Sequence, residues 1–420
     1  MRLLRALFFG GINVNFDEPK VPKDINLSVV ASTKELCFSY RAISDEERNC
    51  IWLNPGLRMK DGRTELSKDP ELGLVKIVKA VVSGNSINIK YRGVVKPLLV
   101  QAWGSSPKGR HILRPSTLWY PYTFSYECLV WPCIVGRHER ALLEVEIINK
   151  DLCSVSSLKL VENGIRYSMW KGEHSSPIEL IISNFRIKRS LDLFDGHINL
   201  FSELGLDANS FLNMTRHVGE FYDNLGLENP IKELNVAVIK GGGGFRGGYL
   251  LCSDARHLTD PLNTVANILH EYAHTWWGTV LHPRDPQSIW LTEAIPEYLT
   301  IIGLEQLGRQ ERAKALLMKH LHESRSVRRS LRYVPPTAIH MPLTKRGEAI
   351  HRSVGVAILH EIREKIGLRD FISVLTNYTN RSLKRGNFAW EELFSRYADT
   401  FKGTIKILKK YKLRLTSFAP

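Results

Sequence analysis

No apolar run in this 420-residue chain reaches the roughly eighteen residues of a membrane-spanning helix. Its six cysteines (37, 50, 128, 133, 153 and 252) show no C-x-x-C spacing and sit mostly in apolar or strand-like runs. That pattern predicts reduced core thiols rather than a cysteine-ligated metal. No Lys-Ser/Thr follows a glycine loop, so a phosphate loop is excluded, and no internal repeat is present. The N-terminus, Met1-Arg-Leu-Leu-Arg-Ala-Leu-Phe-Phe-Gly-Gly, begins like a leader, but Arg5 interrupts it and no clear small-x-small cleavage site follows. The chain therefore reads as cytoplasmic. Without a secretory signal, the sequons at Asn26, Asn213, Asn377 and Asn380 carry no weight.

Acidic residues are in deficit: 43 Asp and Glu stand against 58 Lys and Arg, a net charge of +15. The excess gathers at Arg325, Arg328, Arg329 and Arg332, and in a tail with Lys402, Lys406, Lys409, Lys410, Lys412 and Arg414. Such charge suits an anionic surface or an acidic partner, and it equally suits a solvated helix face. No nucleic-acid-binding fold signature accompanies it, so no nucleic acid is expected. The tail from Ile405 to Leu415 is amphipathic; touching a membrane surface and packing on a core both fit that pattern.

Hydrophobic residues make up 43% of the chain, enough for a globular protein of two or three domains. Over residues 1–190 the pattern is β-rich. Strands are predicted at 74–82, 86–95, 142–148 and 177–187, where β-branched residues alternate or cluster between turns. From 191 to 420 the period becomes helical, with helices predicted at 207–225, 261–277, 292–322, 347–366, 369–380 and 388–400.

The second half contains His270-Glu271-Tyr272-Ala273-His274, an H-E-x-x-H motif. Leu262, Val265, Ala266 and Leu269 repeat at helical spacing before it, and Asp260-Pro261 reads as an N-cap followed by Pro at the first helical position. Two histidines four apart on a helix share one face and can grip one Zn²⁺. Glu271, beside the first of them, is placed to take a proton from water on the metal.

Eighteen residues separate His274 from Glu293, which lies in Trp290-Leu-Thr-Glu-Ala-Ile-Pro-Glu-Tyr298. Gly278, Pro283 and Pro286 break the first helix, and Ile295, Tyr298, Leu299 and Ile302 begin a second. Together with His274-Thr-Trp-Trp-Gly278, this segment resembles the gluzincin metallopeptidases of the aminopeptidase N and leukotriene hydrolase type. The resemblance implies an α+β chain: an N-terminal β-sandwich-like domain, then a thermolysin-like, mostly helical catalytic domain. It implies one zinc ion held by His270, His274 and Glu293. It also implies that Glu297 supports the site from behind the ligands.

Two stretches depart from that family. Residues 234–240 read as a strand that runs into Gly241-Gly-Gly-Gly-Phe-Arg-Gly-Gly-Tyr249. Another strand follows instead of a helix, which argues against a dinucleotide site. The family carries here a loop and edge strand that lie along the substrate, implying substrate contacts from Gly243, Gly244, Phe245, Arg246 and Tyr249. Phe245 or Arg246 falls where the family has the glutamate that holds a free α-amine. Farther on, matching on Gly355 puts Arg352, with His351 beside it, where the family has an oxyanion-stabilising tyrosine. His351 or Arg352 is then expected to take that role, with Tyr249, Tyr298 and Tyr333 as further candidates.

The sequence thus predicts a zinc-dependent hydrolase of peptide or amide bonds, with Glu271 as general base and an atypical, non-aminopeptidase specificity. The alternative is a catalytically weak or inactive descendant that keeps zinc and serves as a peptide-binding scaffold.

Overall fold

The computed structural model describes residues 24–32, 34–43, 51–54, 56–60, 67–69, 73–78, 86–96, 104–105, 110–113, 122–123, 140–172, 178–193, 196–240, 245–247, 250–254, 261–338 and 345–415. The chain divides into two compact units: residues 14–212 with 231–256, and residues 1–13 with 213–230 and 257–420. The fold is α+β, with a β-rich N-terminal part followed by a mostly helical part.

The first unit is built of sheets. A seven-stranded sheet uses β1 (Asp24–Ala31), β2 (Leu36–Ile43), β3 (Leu57–Met59), β4 (Ser86–Gly93), β5 (Arg140–Ile147), β6 (Lys159–Asn163) and β7 (Tyr167–Gly172), in the order β6-β7-β5-β1-β2-β4-β3. Only the β1–β5 pair is parallel. Period-two alternation turns Leu27, Val29, Phe38, Tyr40, Leu143 and Val145 into one core, where Phe38 stacks on Tyr91 at 4.7 Å. Two four-stranded sheets follow, one containing Ile51–Leu53 and Gly73–Val78, the other Cys153–Ser156 and Leu180–Ser183.

A five-stranded sheet completes this unit, from β8 (Ile187–Leu193), β9 (Gly196–Ser202), β10 (Glu233–Ile239), β11 (Phe245–Gly247) and β12 (Leu250–Asp254), in the order β8-β9-β10-β12-β11. The predicted strand at 177–187 is two pieces, Leu180–Ser183 and the start of β8, in different sheets. β11 is an edge strand, antiparallel to β12 with Arg246 opposite Leu251. Gly243, Gly244 and Tyr249 lie outside the described residues, and the side chains of Phe245 and Arg246 are likewise not described.

Nine helices are present among the described residues: α1 (Ala208–Asn224), α2 (Pro261–Ala273), α3 (Leu291–Gln306), α4 (Gln310–Arg329), α5 (Lys345–Ala349), α6 (Gly355–Ile366), α7 (Leu368–Leu383), α8 (Trp390–Thr400) and α9 (Thr404–Lys410). Asp260, the expected cap of α2, lies outside the described residues. The helix predicted over 292–322 is in fact two. Gly308, at φ +74°, takes the left-handed conformation, and Arg309 N–H bonds back to the Leu304 carbonyl at 2.7 Å, a glycine-type helix stop. The helix predicted over 347–366 is also not uniform: a π-helical turn, Ile350–Val354, separates α5 from α6.

α3 is the centre of the second unit, buried from Leu291 to Gly303 except for Glu293, and it packs on α2, α4 and α6. Glycine sets two of these approaches. A Cβ on Gly303 would stand 2.6 Å from Leu269 Cδ2, and one on Gly355 would stand 2.4 Å from the Ala294 Cβ. Around α2, Tyr222 stacks on Tyr272 with centroids 5.4 Å apart, and its hydroxyl donates to the Leu269 carbonyl at 2.7 Å.

Trp276 is fully buried beside these rings, and its indole N–H donates to the Glu228 carbonyl at 2.8 Å. Trp276→Ala should therefore cost about 3–5 kcal/mol of stability through the cavity and the orphaned carbonyl. Urea unfolding checks this; a midpoint equal to that of the parent would show that the cluster carries no such weight.

The tail from Thr404 buries its apolar side: Ile407, Leu408, Tyr411, Leu413 and Leu415 are buried, while Lys406, Lys409, Lys410, Lys412 and Arg414 are exposed. Of the two readings of this tail, its apolar face packs on the core. Among the described residues no helix is long and apolar enough to cross a membrane.

Candidate metal centre

His270, on the last turn of α2, and His274, one residue beyond its end, keep helical spacing because His274 N–H bonds to the His270 carbonyl at 3.4 Å. α3 crosses beside them and presents Glu293 from its first turn. The structure brings the three expected ligands together, with their donor atoms within 4.8 Å of one another. The two Nε2 atoms are 3.1 Å apart. Glu293 Oε2 lies 3.5 Å from His270 Nε2, and its Oε1 lies 3.7 Å from His274 Nε2.

These distances fit zinc. Donors at about 2.0–2.2 Å from a tetrahedral ion stand roughly 3.3 Å from one another. The outer ring nitrogens are also committed. His270 Nδ1 is 2.9 Å from Glu297 Oε2, and His274 Nδ1 is 2.9 Å from the Trp277 carbonyl. The Trp277 carbonyl holds the His274 proton on Nδ1 and leaves its Nε2 lone pair for a metal, while the Glu297 carboxylate stands in ion-pair contact with His270 Nδ1. Glu271 is buried on the same turn of α2.

Electrostatics follow from this crowding. Burial alone would raise the carboxyl pKa of Glu293, but the Arg352 guanidinium and a His270 hydrogen bond hold it well below the usual carboxylate range. Glu297 is held down in the same way by Arg352, His270 and His320. Burial would lower His270, yet its bonds to Glu293 and Glu297 outweigh that and raise it to about 10. Burial lowers His274 to about 4. A divalent cation taking this place would compete with protons for the ring nitrogens, so its binding should tighten as pH rises.

The π-helical turn supplies the residues that face this cluster. Arg352 pairs with Glu293 Oε2, and its Nε is 3.8 Å from Glu297 Oε2. Its side chain keeps 44% of its surface exposed, so solvent reaches it. His351 is completely buried, so its ring has no face open to a bound molecule. Tyr298 is buried too, its hydroxyl 3.2 Å from His360 Nδ1, and the Tyr333 hydroxyl donates to the Tyr411 carbonyl at 3.1 Å. Among these candidates for an oxyanion donor, Arg352 is the one with open surface beside the cluster.

Three residues that sequence reasoning did not single out extend the site. His320 on α4 has Nε2 2.6 Å from Glu297 Oε1 and Nδ1 2.8 Å from Ser353 Oγ. Ser353 in turn donates to Glu323 Oε2 at 2.6 Å. A chain therefore runs from the buried His270, Glu297, His320 and Ser353 to the half-buried Glu323. Its members lie 23 to 33 residues apart along the sequence, with no shared periodicity that would reveal them.

Residues 245–411 match the Peptidase family M1 domain. Among curated relatives, the chain is 24% identical over 210 residues to "Probable aminopeptidase 1" of Saccharolobus solfataricus, covering 46% of this chain and 26% of that protein. It is 24% identical over 194 residues to "Aminopeptidase 2, mitochondrial" of Saccharomyces cerevisiae, covering 43% of this chain and 20% of that protein. The match thus spans about a quarter or less of these relatives' length. The fold is similar to the crystal structure of the M1 zinc metallopeptidase from Deinococcus radiodurans, with a TM-score of 0.65, 14% identity, and coverage of 96% of this chain and 95% of that one.

Proposed function

We propose that this chain, which carries a peptidase family M1 domain over residues 245–411, is a zinc metallopeptidase that hydrolyses peptide or amide bonds with one metal ion held by His270, His274 and Glu293. What carries the reading is the convergence of the two Nε2 atoms and one carboxylate at 3.1–3.7 Å, with each outer ring nitrogen 2.9 Å from a protein oxygen. When bound, zinc supplies a Lewis acid and brings the pKa of a water toward about 7.

The chain's own residues do the rest. Glu271 takes the proton of the attacking water and delivers it to the leaving nitrogen. Glu297, braced by His320, keeps the His270 ring turned toward the ion. Arg352 offers a guanidinium to the carbonyl oxygen as it gains charge. Gly243, Gly244, Phe245, Arg246 and Tyr249 are the residues proposed to contact the substrate, as the family resemblance implies. Because no carboxylate stands in that segment to hold a free α-amine, the specificity is not that of an ordinary aminopeptidase.

Incubation of the zinc-loaded protein with a mixed peptide library, read by mass spectrometry, tests the proposal. Cleavage is expected, with a drop to background after chelation by 1,10-phenanthroline and recovery on adding zinc. Stoichiometric zinc with no cleavage would overturn hydrolysis in favour of a zinc-containing peptide-binding protein.

A further inference from the structure

The two basic stretches that are far apart in the sequence meet in the fold. Arg328, at the end of α4, lies over the Tyr411 ring at 4.2 Å and donates to the Lys410 carbonyl at 3.3 Å. Lys412 Nζ donates to the Tyr333 carbonyl at 3.2 Å, and Arg346 donates to Ser330 Oγ at 3.2 Å. Residues 324–333 and 402–415 together hold ten Lys and Arg and no Asp or Glu. The acids facing this cluster are few: Glu361 takes Lys410 and the Tyr411 hydroxyl, Glu323 is committed to Ser353, and Glu348 is near Arg346 in sequence.

One apolar residue sits within this charge. Leu331, on the turn closed by Tyr333 N–H to the Ser330 carbonyl, has a relative exposure of 106%, the highest among the described large hydrophobic residues. It is flanked by Arg329 and Arg332, both exposed. Tyr333 and Tyr411 are buried and present no ring for a nucleobase to stack on. Fixed cations around a projecting leucine match an anionic bilayer, whose headgroups take the guanidinium and ammonium groups while its acyl boundary takes the leucine.

We propose that the surface formed by Arg325, Arg328–Arg332 and the Lys409–Arg414 tail docks this protein on anionic lipid membranes. The amphipathic tail contributes its outward charges, since its apolar face is spent on the core. This proposal is independent of the metal centre and goes beyond the hydrolytic reading.

Sedimentation of the full chain with phosphatidylcholine vesicles containing 30% phosphatidylserine tests it, against pure phosphatidylcholine vesicles. Binding to the anionic vesicles is expected to be at least tenfold tighter, and to weaken as salt rises from 0.05 to 0.3 M. The exposed double variant Arg329→Glu/Arg332→Glu should lose at least tenfold, and Leu331→Ser about tenfold. Peptide cleavage and circular dichroism of these variants should be unchanged. Equal binding to both vesicle types, retention of binding by the charge variant, or binding to a single-stranded RNA probe with none to vesicles would each overturn the proposal.

Discussion

Replacing Glu271 with glutamine is expected to lower kcat for peptide cleavage by about three orders of magnitude, within the range ascribed to a positioned general base. Glutamine keeps the shape and fills the same buried place on α2, so the fold and the two histidines should not move. What is lost is the ability to accept and return a proton. Zinc content, measured by elemental analysis, should stay at one ion per chain, because Glu271 is not among the three converging donors. Full activity in this variant would sink the general-base assignment. Loss of zinc along with activity would instead show that Glu271 supports the metal.

Glu297→Ala should act on stability and metal together. Its carboxylate receives His320 at 2.6 Å and His270 at 2.9 Å, and Arg352 approaches it at 3.8 Å. Removing one partner from such a buried charged cluster costs about 3–5 kcal/mol, because the His270 and His320 rings stay buried and lose the carboxylate they share. The His270 ring also loses the carboxylate 2.9 Å from its Nδ1, so zinc affinity should fall by about ten- to a hundredfold. Competition with a chromogenic chelator measures the second effect, and urea unfolding of the metal-free protein measures the first. A zinc affinity within twofold of the parent would refute the supporting role. Glu297→Gln, which can still accept from His270, should retain part of both.

The part of this site that is local was legible in the sequence. His270 and Glu271 lie on the last turn of α2 and His274 just past it at helical spacing, and Glu293 follows after a break marked by glycine and proline. Short-range spacing encodes such geometry directly. The His320–Ser353–Glu323 chain was not legible, because it exists only once α4 packs on the π-helical turn. The stop at Gly308 was present as a lone glycine, but apolar periodicity continued across it and suggested one long helix. In the first half the β-rich pattern and the strands at 73–78, 86–93 and 140–147 were legible from alternating or clustered β-branched residues, whereas β1, β2, β6 and β7 were not singled out. However, the pairing of β1 with β5, over a hundred residues apart, leaves no trace in either strand alone.

The turn from Ile350 to Val354 also changes how residues on either side of it may be compared. A π-helical turn closes i to i+5 rather than i to i+4, so it uses nearly one residue more per revolution than an α-helix. Counting back from Gly355 pairs Arg352 with a position in a regular helix that points in another direction. In a relative whose helix is regular here, the side chain aimed where Arg352 aims would stand one residue off in an ungapped count. Equivalence across this segment is therefore a matter of heading rather than of numbering.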